Sequence, residues 1–480
     1  MQSFDVVIVG AGISGINAGY RVKESTNKTF TILEARGSLG GTWDLFKYPG
    51  IRSDSDLHTF GFPFHPWTNE LSIADGASIK KYIKDTAEYY GIDKHINYHH
   101  KLVSANWSSQ SRTWTLDVDT DAGKKKICTK FLVIGTGYYD YNKGLEVEIP
   151  GIQNFEGKVV HPQFWPEDLD YKDKNVLIIG SGATAVTLLP NIAKESKMVT
   201  MLQRSPTYIM PVESIGSLKK KMRKYLPLTW TYQILRFLNL FLSWLIYFFC
   251  MTFPEAAKKR FLKIVASELP KDYPIAPNFD PSYFPWQQRV CATPDGDFYQ
   301  AIREGKAEVV TAHIKNITNN EVQLVGTEQV LRPDIIVTAT GLKIQLAGGA
   351  KVFVDDVEMN LSDKHLWKGV MVEDIPNASM IIGYANASWT LGSDATSHFI
   401  VRMLKKMDKE GISQAVPRYD YSAGMKDRPV LDLNSTYIKK GALPKCGDKG
   451  NWVPRSTYLR DLYEAKYGNI TTDLQLSYNK

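Results

Sequence analysis

Short apolar runs closed by glycine recur along the chain and fall into two matching sets. The first is Val6-Val7-Ile8-Val9, β-branched throughout, which passes into Gly10-x-Gly12-x-x-Gly15 and then into residues of helical composition. That pattern predicts strand, tight turn and helix. The run from Phe30 predicts a second strand ending in Glu34. The same order returns from Asn175, where an apolar strand enters Gly180-x-Gly182-x-x-Ala185, and the run MVTMLQ leads to Arg204 and Ser205. Each set closes with one more apolar run meeting glycine, FLVIGTG at 131–137 and DIIVTATG at 334–341. Between the second loop and residue 285 the pattern turns helical, and residues 237–253 carry no charge before Pro254 stops them. On that helix Tyr232, Arg236, Asn239, Ser243 and Tyr247 share one thin polar stripe. A last helix is predicted over SHFIVRMLKKMDKEG, residues 397–411.

These elements predict an α/β protein with two Rossmann-like dinucleotide-binding domains, the second inserted in the first and carrying a helical insertion. The first domain is assigned to residues 1–150 and 372–480, and the second to 151–371, with the insertion at about 212–284. A chain of 480 residues is too long for one hydrophobic core, which agrees with this division.

The two loops share a frame but differ in chemistry. Their glycines let a pyrophosphate approach backbone N–H groups at a helix N-terminus. Glu34 lies 24 residues beyond Gly10, and Arg204 lies 24 residues beyond Gly180. A carboxylate accepts hydrogen bonds from free ribose hydroxyls and repels a 2′-phosphate, which a guanidinium clasps. The first loop therefore suits a nucleotide with free ribose hydroxyls and the second suits NADP, unless Arg204 is only a solvated strand-end charge. Two such units, one nested in the other, suggest a flavoprotein with a nicotinamide reductant.

The net charge of +7 permits an anionic cofactor or a membrane surface but lacks the dense basic face of a nucleic-acid binder. Cys128, Cys250, Cys291 and Cys446 are far apart with no CxxC, which argues against a zinc site or dithiol and suits a reducing cytosol. The first strand begins almost at Met1, so no secretion signal is expected and the location expected is cytoplasmic. Residues 237–253 sit at the low edge of a membrane span, which takes about 20 residues. Basic clusters, KKKMRK and KKRFLK, flank them on both sides. Two readings follow: a helical subdomain packed over a substrate channel, or peripheral membrane contact through about 219–263. A true span would interrupt a nucleotide domain. Both readings imply apolar substrates.

At this point the sequence resembles the class B flavoprotein monooxygenases over nearly its whole length. GGTWDLFKYPGIRSD (40–54) fits that group, and Phe155, Gly157, His161, Trp165 and Pro166 fit its F-x-G-x-x-x-H-x-x-x-W-P signature. The Trp-Pro ending is similar to the Baeyer–Villiger branch. YPGIRSDSD, GSGATAV, PWQQRVC and YANASWTL look like its ethionamide-activating members. One departure is LGSDATSHF after Thr390, where LKADLVSEF is expected; it leaves substrate preference open.

The resemblance implies that NADPH reduces FAD, that dioxygen adds at flavin C4a, and that one oxygen atom passes to an apolar substrate. It assigns Arg289 to the active site and Asp54 to positioning it. FAD contacts fall on Gly10, Gly12, Ser14, Gly15, Glu34, Trp43, Asp54 and, through backbone, Val103. NADP contacts fall on Arg52, Ser53, Gly180, Ser181, Gly182, Ala183, Thr184, Ala185, Val186, Arg204 and Ser205. His161 and Trp165 are implied to couple domain position to catalysis, the bland alternative being a packed linker. A disulfide reductase would need a dithiol. An uncoupled NADPH oxidase, an N- or long-chain-hydroxylating monooxygenase, or a membrane-associated redox protein stays open, as does ketone against sulfide oxidation.

Overall fold

In the computed structural model, which describes residues 1–384, 387–431, 438 and 441–479, each glycine loop leaves the end of a strand with parallel neighbours on both sides. Strand β1 (Gln2–Val9) lies between β2 (Phe30–Leu33) and a later strand, Gly123–Ile134, and pairs parallel with both. Helices cover one face and an antiparallel layer the other, so residues 6–9 of β1 are buried on both sides. That later strand also closes an antiparallel meander with His100–Ser108 and Thr113–Thr120. The second sheet runs Ala307–Thr311, Met198–Gln203, Asn175–Ile179, Ile335–Thr338, Lys158–Val160, all parallel.

The chain crosses to the second domain through Tyr139–Gly144 and returns through Leu342–Ile344, and these two segments pair antiparallel as a ribbon. Lys343 and Asp140 close it with a 3.1 Å ion pair. The return therefore comes earlier than the sequence reading placed it. Lys351–Val354 pairs parallel with His100–Ser108, and Trp367 and Val370 lie in the core of the first domain, so residues 351–371 belong there. Short strands without a glycine loop carry no signal of which sheet they join; the free edge of the meander decides it.

Helix Trp389–Glu410 packs against the helix Ile13–Ser25 that follows the first loop, and ends at Gly411 with φ 66°. The insertion forms helices Ser217–Met222, Leu228–Thr252 and Pro254–Glu268. Its long helix packs the opposite way from a helix that seats an apolar face on the body. The polar stripe is packed over its first three members, Ser243 being exposed: Tyr232 donates to Phe62 O at 3.1 Å, and Arg236 donates to the carbonyls of His58, Thr59 and Gly61 at 2.7, 3.2 and 3.0 Å. Asn239 donates to Asp56 at 2.9 Å. Phe237, Phe241, Trp244 and Phe248 point outward.

Candidate active site

The first and third positions of each loop are fixed by the fold, and the second is left open. Gly10 has φ 98°, and a Cβ there would lie 2.8 Å from Gly135 O; a Cβ on Gly15 would lie 1.8 Å from Gly10 O. Around Gly12 the nearest such atom is Gly41 Cα at 3.6 Å. Gly180, at φ 133°, meets Ala339 O at 2.2 Å, whereas Gly182 meets nothing within 4 Å. Open space at the middle glycine is what close approach of a pyrophosphate requires.

Glu34, at the end of β2, is buried at the cavity wall and accepts from the N–H groups of Ala11 at 2.7 Å and Arg36 at 2.9 Å. Burial raises its pKa above the usual carboxylate range, with the two N–H groups pulling the other way. At the second loop, Ser181 donates to Ser205 O at 3.2 Å. Arg204 stands exposed at the cavity wall, with no ion pair among the described residues.

One cavity of about 980 Å³ reaches both loops. Gly10, Gly12, Ser14, Glu34, Trp43, Arg52, Ser53, Asp54, residues 180–184, Arg204, Ser205 and Arg289 all line it. Arg289 Nη2 lies 2.8 Å from Asp54 Oδ2, joining the two domains across the cavity. The fold delivers Arg289 because the next segment, Cys291–Pro294, pairs parallel with Ile209–Val212. Arg52 is held by Asp297 through bonds of 2.5 and 3.2 Å.

Several expected residues stand away from this space. Ala185 and Val186 are fully buried in the core of helix Ala183–Ile192, and Gly15 does not reach the cavity. The Val103 side chain is exposed, at a register shift between Leu102 and Ser104, and Lys101 and Leu102 line the cavity. Phe155, Gly157, His161, Trp165 and Pro166 line none of it. Phe155 is buried, and a Cβ on Gly157 would come 2.5 Å from Asp334 O. His161 packs so closely on the crossing ribbon that a Cβ at Gly144 would lie 2.6 Å from its ring, and Gln163 donates to Asp140 O at 2.7 Å. Burial lowers the His161 pKa.

Other participants were not assigned from sequence, although Tyr48 and Trp389 lie in the quoted motifs YPGIRSDSD and YANASWTL. Tyr48 is buried with its hydroxyl bonded to Thr184, and burial raises its pKa. Trp389 stacks on Tyr138 at 4.7 Å beside the cavity. Asp297 follows no recognisable motif. The departure LGSDATSHF lies against helix Ile13–Ser25: Ser393 bonds Ser14 at 2.7 Å, and Asp394 pairs with Arg21 at 2.8 Å and accepts from Tyr458 at 3.0 Å. A Cβ on Gly392 would come 2.7 Å from Gly383 Cα, so this backbone contact excludes the lysine of the expected pattern. Ala385 and Asn386 of YANASWTL lie outside the described residues.

Over 473 residues the chain is 43% identical to the FAD-containing monooxygenase EthA of Mycobacterium tuberculosis, covering 98% of this chain and 96% of that protein. The chain belongs to the FAD-containing monooxygenases. This monooxygenase is also 43% identical over 465 residues to the probable FAD-binding monooxygenase AlmA of Acinetobacter baylyi, covering 96% of the chain and 93% of AlmA. Its fold matches OTEMO in complex with FAD and NADP, with a TM-score of 0.77 at 18% identity over 99% of both chains. A family model described as pyridine nucleotide-disulphide oxidoreductase matches residues 7–226. The disulphide part of that description has no counterpart here. All four cysteines are free, and the one beside the cavity, Cys291, is buried with its thiol pushed up to about 12.

Proposed function

We propose that this monooxygenase uses NADPH and dioxygen to insert one oxygen atom into apolar ketones, giving esters or lactones, and to oxidise sulfides and thioamides in the same cavity. The observation that carries the reading is the Arg289–Asp54 pair, set in a single space bordered by both glycine loops.

The residues fit both cofactors. Gly10, Gly12, Ser14, Glu34, Trp43 and Asp54 would hold FAD, with the open face of Gly12 admitting the pyrophosphate and Glu34 meeting the ribose. Arg52, Ser53, residues 180–184, Arg204 and Ser205 would hold NADPH, with Arg204 free to meet a 2′-phosphate. FAD, when bound and reduced by NADPH, supplies the activation of dioxygen.

The protein supplies electrostatics and orientation. When a ketone carbonyl is attacked, negative charge gathers on its oxygen, and the fixed guanidinium of Arg289 stabilises that charge without reorganising. Asp54 holds the guanidinium in place through a charge-assisted bond. Two electrons come from NADPH; one oxygen atom enters the product and the other leaves as water with two protons. His161 and Trp165 act at a distance, fixing the second domain against the crossing ribbon.

The test is turnover of an apolar ketone under ¹⁸O₂. One ¹⁸O atom per ester molecule, with one NADPH consumed, is the expected result. NADPH consumption that yields only hydrogen peroxide, for ketones and sulfides alike, would make the protein an oxidase.

A further inference from the structure

The long helix of the insertion, Leu228–Thr252, is amphipathic with its apolar side turned outward. Trp230, Phe237, Phe241, Trp244, Phe248 and Met251 follow one another at steps of seven, four, three, four and three residues, so they share one face. Each is between 45% and 67% exposed. On the opposite face, bonds from Tyr232, Arg236 and Asn239 tie residues 232–239 to the first domain, while residues 241–246 are exposed on every side. The part of the helix beyond those ties, residues 240–252, is shorter than the about 20 residues that span a bilayer, so the helix does not cross a bilayer. It can lie along one.

Charge identifies the occupant. Among the described residues before the helix, Lys220, Lys221, Arg223 and Lys224 are exposed; after it, Lys259, Arg260 and Lys263 are exposed. No carboxylate occurs between Glu213 and Glu255. A second copy of the chain laid antiparallel on this face would bring the two basic clusters of each copy together, and like charges oppose that pairing. An anionic lipid surface meets both clusters with opposite charge while the aromatic side chains enter the headgroup boundary. The helix also stands close to the cavity: Tyr247 packs edge-on against Trp286 at 5.8 Å, and Trp286 lies just before Arg289 in sequence.

We infer that the apolar face of Leu228–Thr252, with its flanking basic clusters, is a docking surface for an anionic bilayer. The surface acts in parallel with the chemistry proposed above and does not depend on it.

Flotation of the FAD-loaded full chain with vesicles of phosphatidylcholine alone, or with about one third phosphatidylglycerol, tests it. Binding to the anionic vesicles at least tenfold tighter than to neutral ones is expected, with weakening as salt shortens the Debye length. A variant carrying Phe241→Glu, Trp244→Glu and Phe248→Glu should bind at least tenfold more weakly, with flavin content unchanged. Hydrogen exchange on the unmodified chain is an independent readout that needs no variant: anionic vesicles should slow exchange over residues 228–252. No binding by the unmodified chain, equal binding by the variant, or no change in exchange would overturn the proposal. So would a lipid-free oligomer that the triple substitution dissolves, which would assign this face to a second copy.

Discussion

Arg289 and Asp54 are each about one third exposed, at 35% and 31%, so their 2.8 Å pair adds little to stability. Pairs of that kind contribute about 0–1 kcal/mol. Their value lies in where the guanidinium is held. Arg289→Ala should therefore melt within a few degrees of the unmodified protein and keep its flavin, while ketone oxygenation falls by about 10²-fold or more, the usual cost of losing one oxyanion donor. Product analysis beside a thermal melt checks this, and ester formation at the unmodified rate would remove Arg289 from the chemistry. Residues of this kind were legible to different degrees. Glu34 and Arg204 could be read from spacing, because strand, turn and helix have set lengths and place the end of the second strand beside the loop. Asp297 could not, since its partner Arg52 is 245 residues away in sequence. Val103 left no side-chain signal to read, because its expected contact is through backbone and the strand's alternation breaks between Leu102 and Ser104.

At the scale of elements, the two glycines of the second loop separate folding from binding. Gly182 has φ −77° and a Cβ there meets no protein atom within 4 Å, so Gly182→Ala should leave the thermal midpoint unchanged or slightly higher. The same methyl occupies the space through which the pyrophosphate approaches, and KM for NADPH should rise about tenfold or more, roughly 1.4 kcal/mol per factor of ten. Gly180→Ala places a methyl 2.2 Å from Ala339 O at φ 133° and should lower the midpoint by several degrees, at a strain of about 1–3 kcal/mol. Differential scanning calorimetry and NADPH kinetics on the two variants check the contrast; equal effects would mean that the loop's middle position is not a cofactor contact. The strand–turn–helix elements were readable because their apolar period and glycines agree. The insertion was readable only as a helix. Its stripe of Tyr232, Arg236 and Asn239 was visible, but period alone cannot say which side of a helix is inside, and here three buried carbonyl acceptors draw the polar side inward.

Across the whole molecule, two sheets are joined by a narrow ribbon, and the loop of residues 48–54 bridges the gap between them. Tyr48 reaches Thr184, Gly50 sits so close to Asn191 that a Cβ would lie 1.9 Å from its Nδ2, and Arg52 grips Asp297 at the start of helix Asp297–Arg303. All three contacts run from the first domain to the second. Their positions could not be read from the sequence because they depend on how the domains dock, which no local pattern records; the boundary at 351–371 escaped for the same reason. Asp297 is itself fixed, accepting from Thr293 Oγ1 at 2.5 Å, so Arg52 is held at the cavity wall before any ligand arrives. If that guanidinium meets the nicotinamide cofactor, releasing it costs orientation and leaves the charge in place. Asp297→Ala should then retain full flavin content and lose several degrees of thermal stability, in line with a largely buried pair whose Arg52 and Asp297 side chains are 12% and 30% exposed. KM for NADPH should rise about tenfold as Arg52 regains its rotamers. Asp297→Glu, which keeps the carboxylate within reach, should recover most of the loss. Steady-state kinetics on both variants decides between two roles. A KM unchanged in Asp297→Ala would mean that Arg52 serves to clamp the domains and takes no part in holding the cofactor.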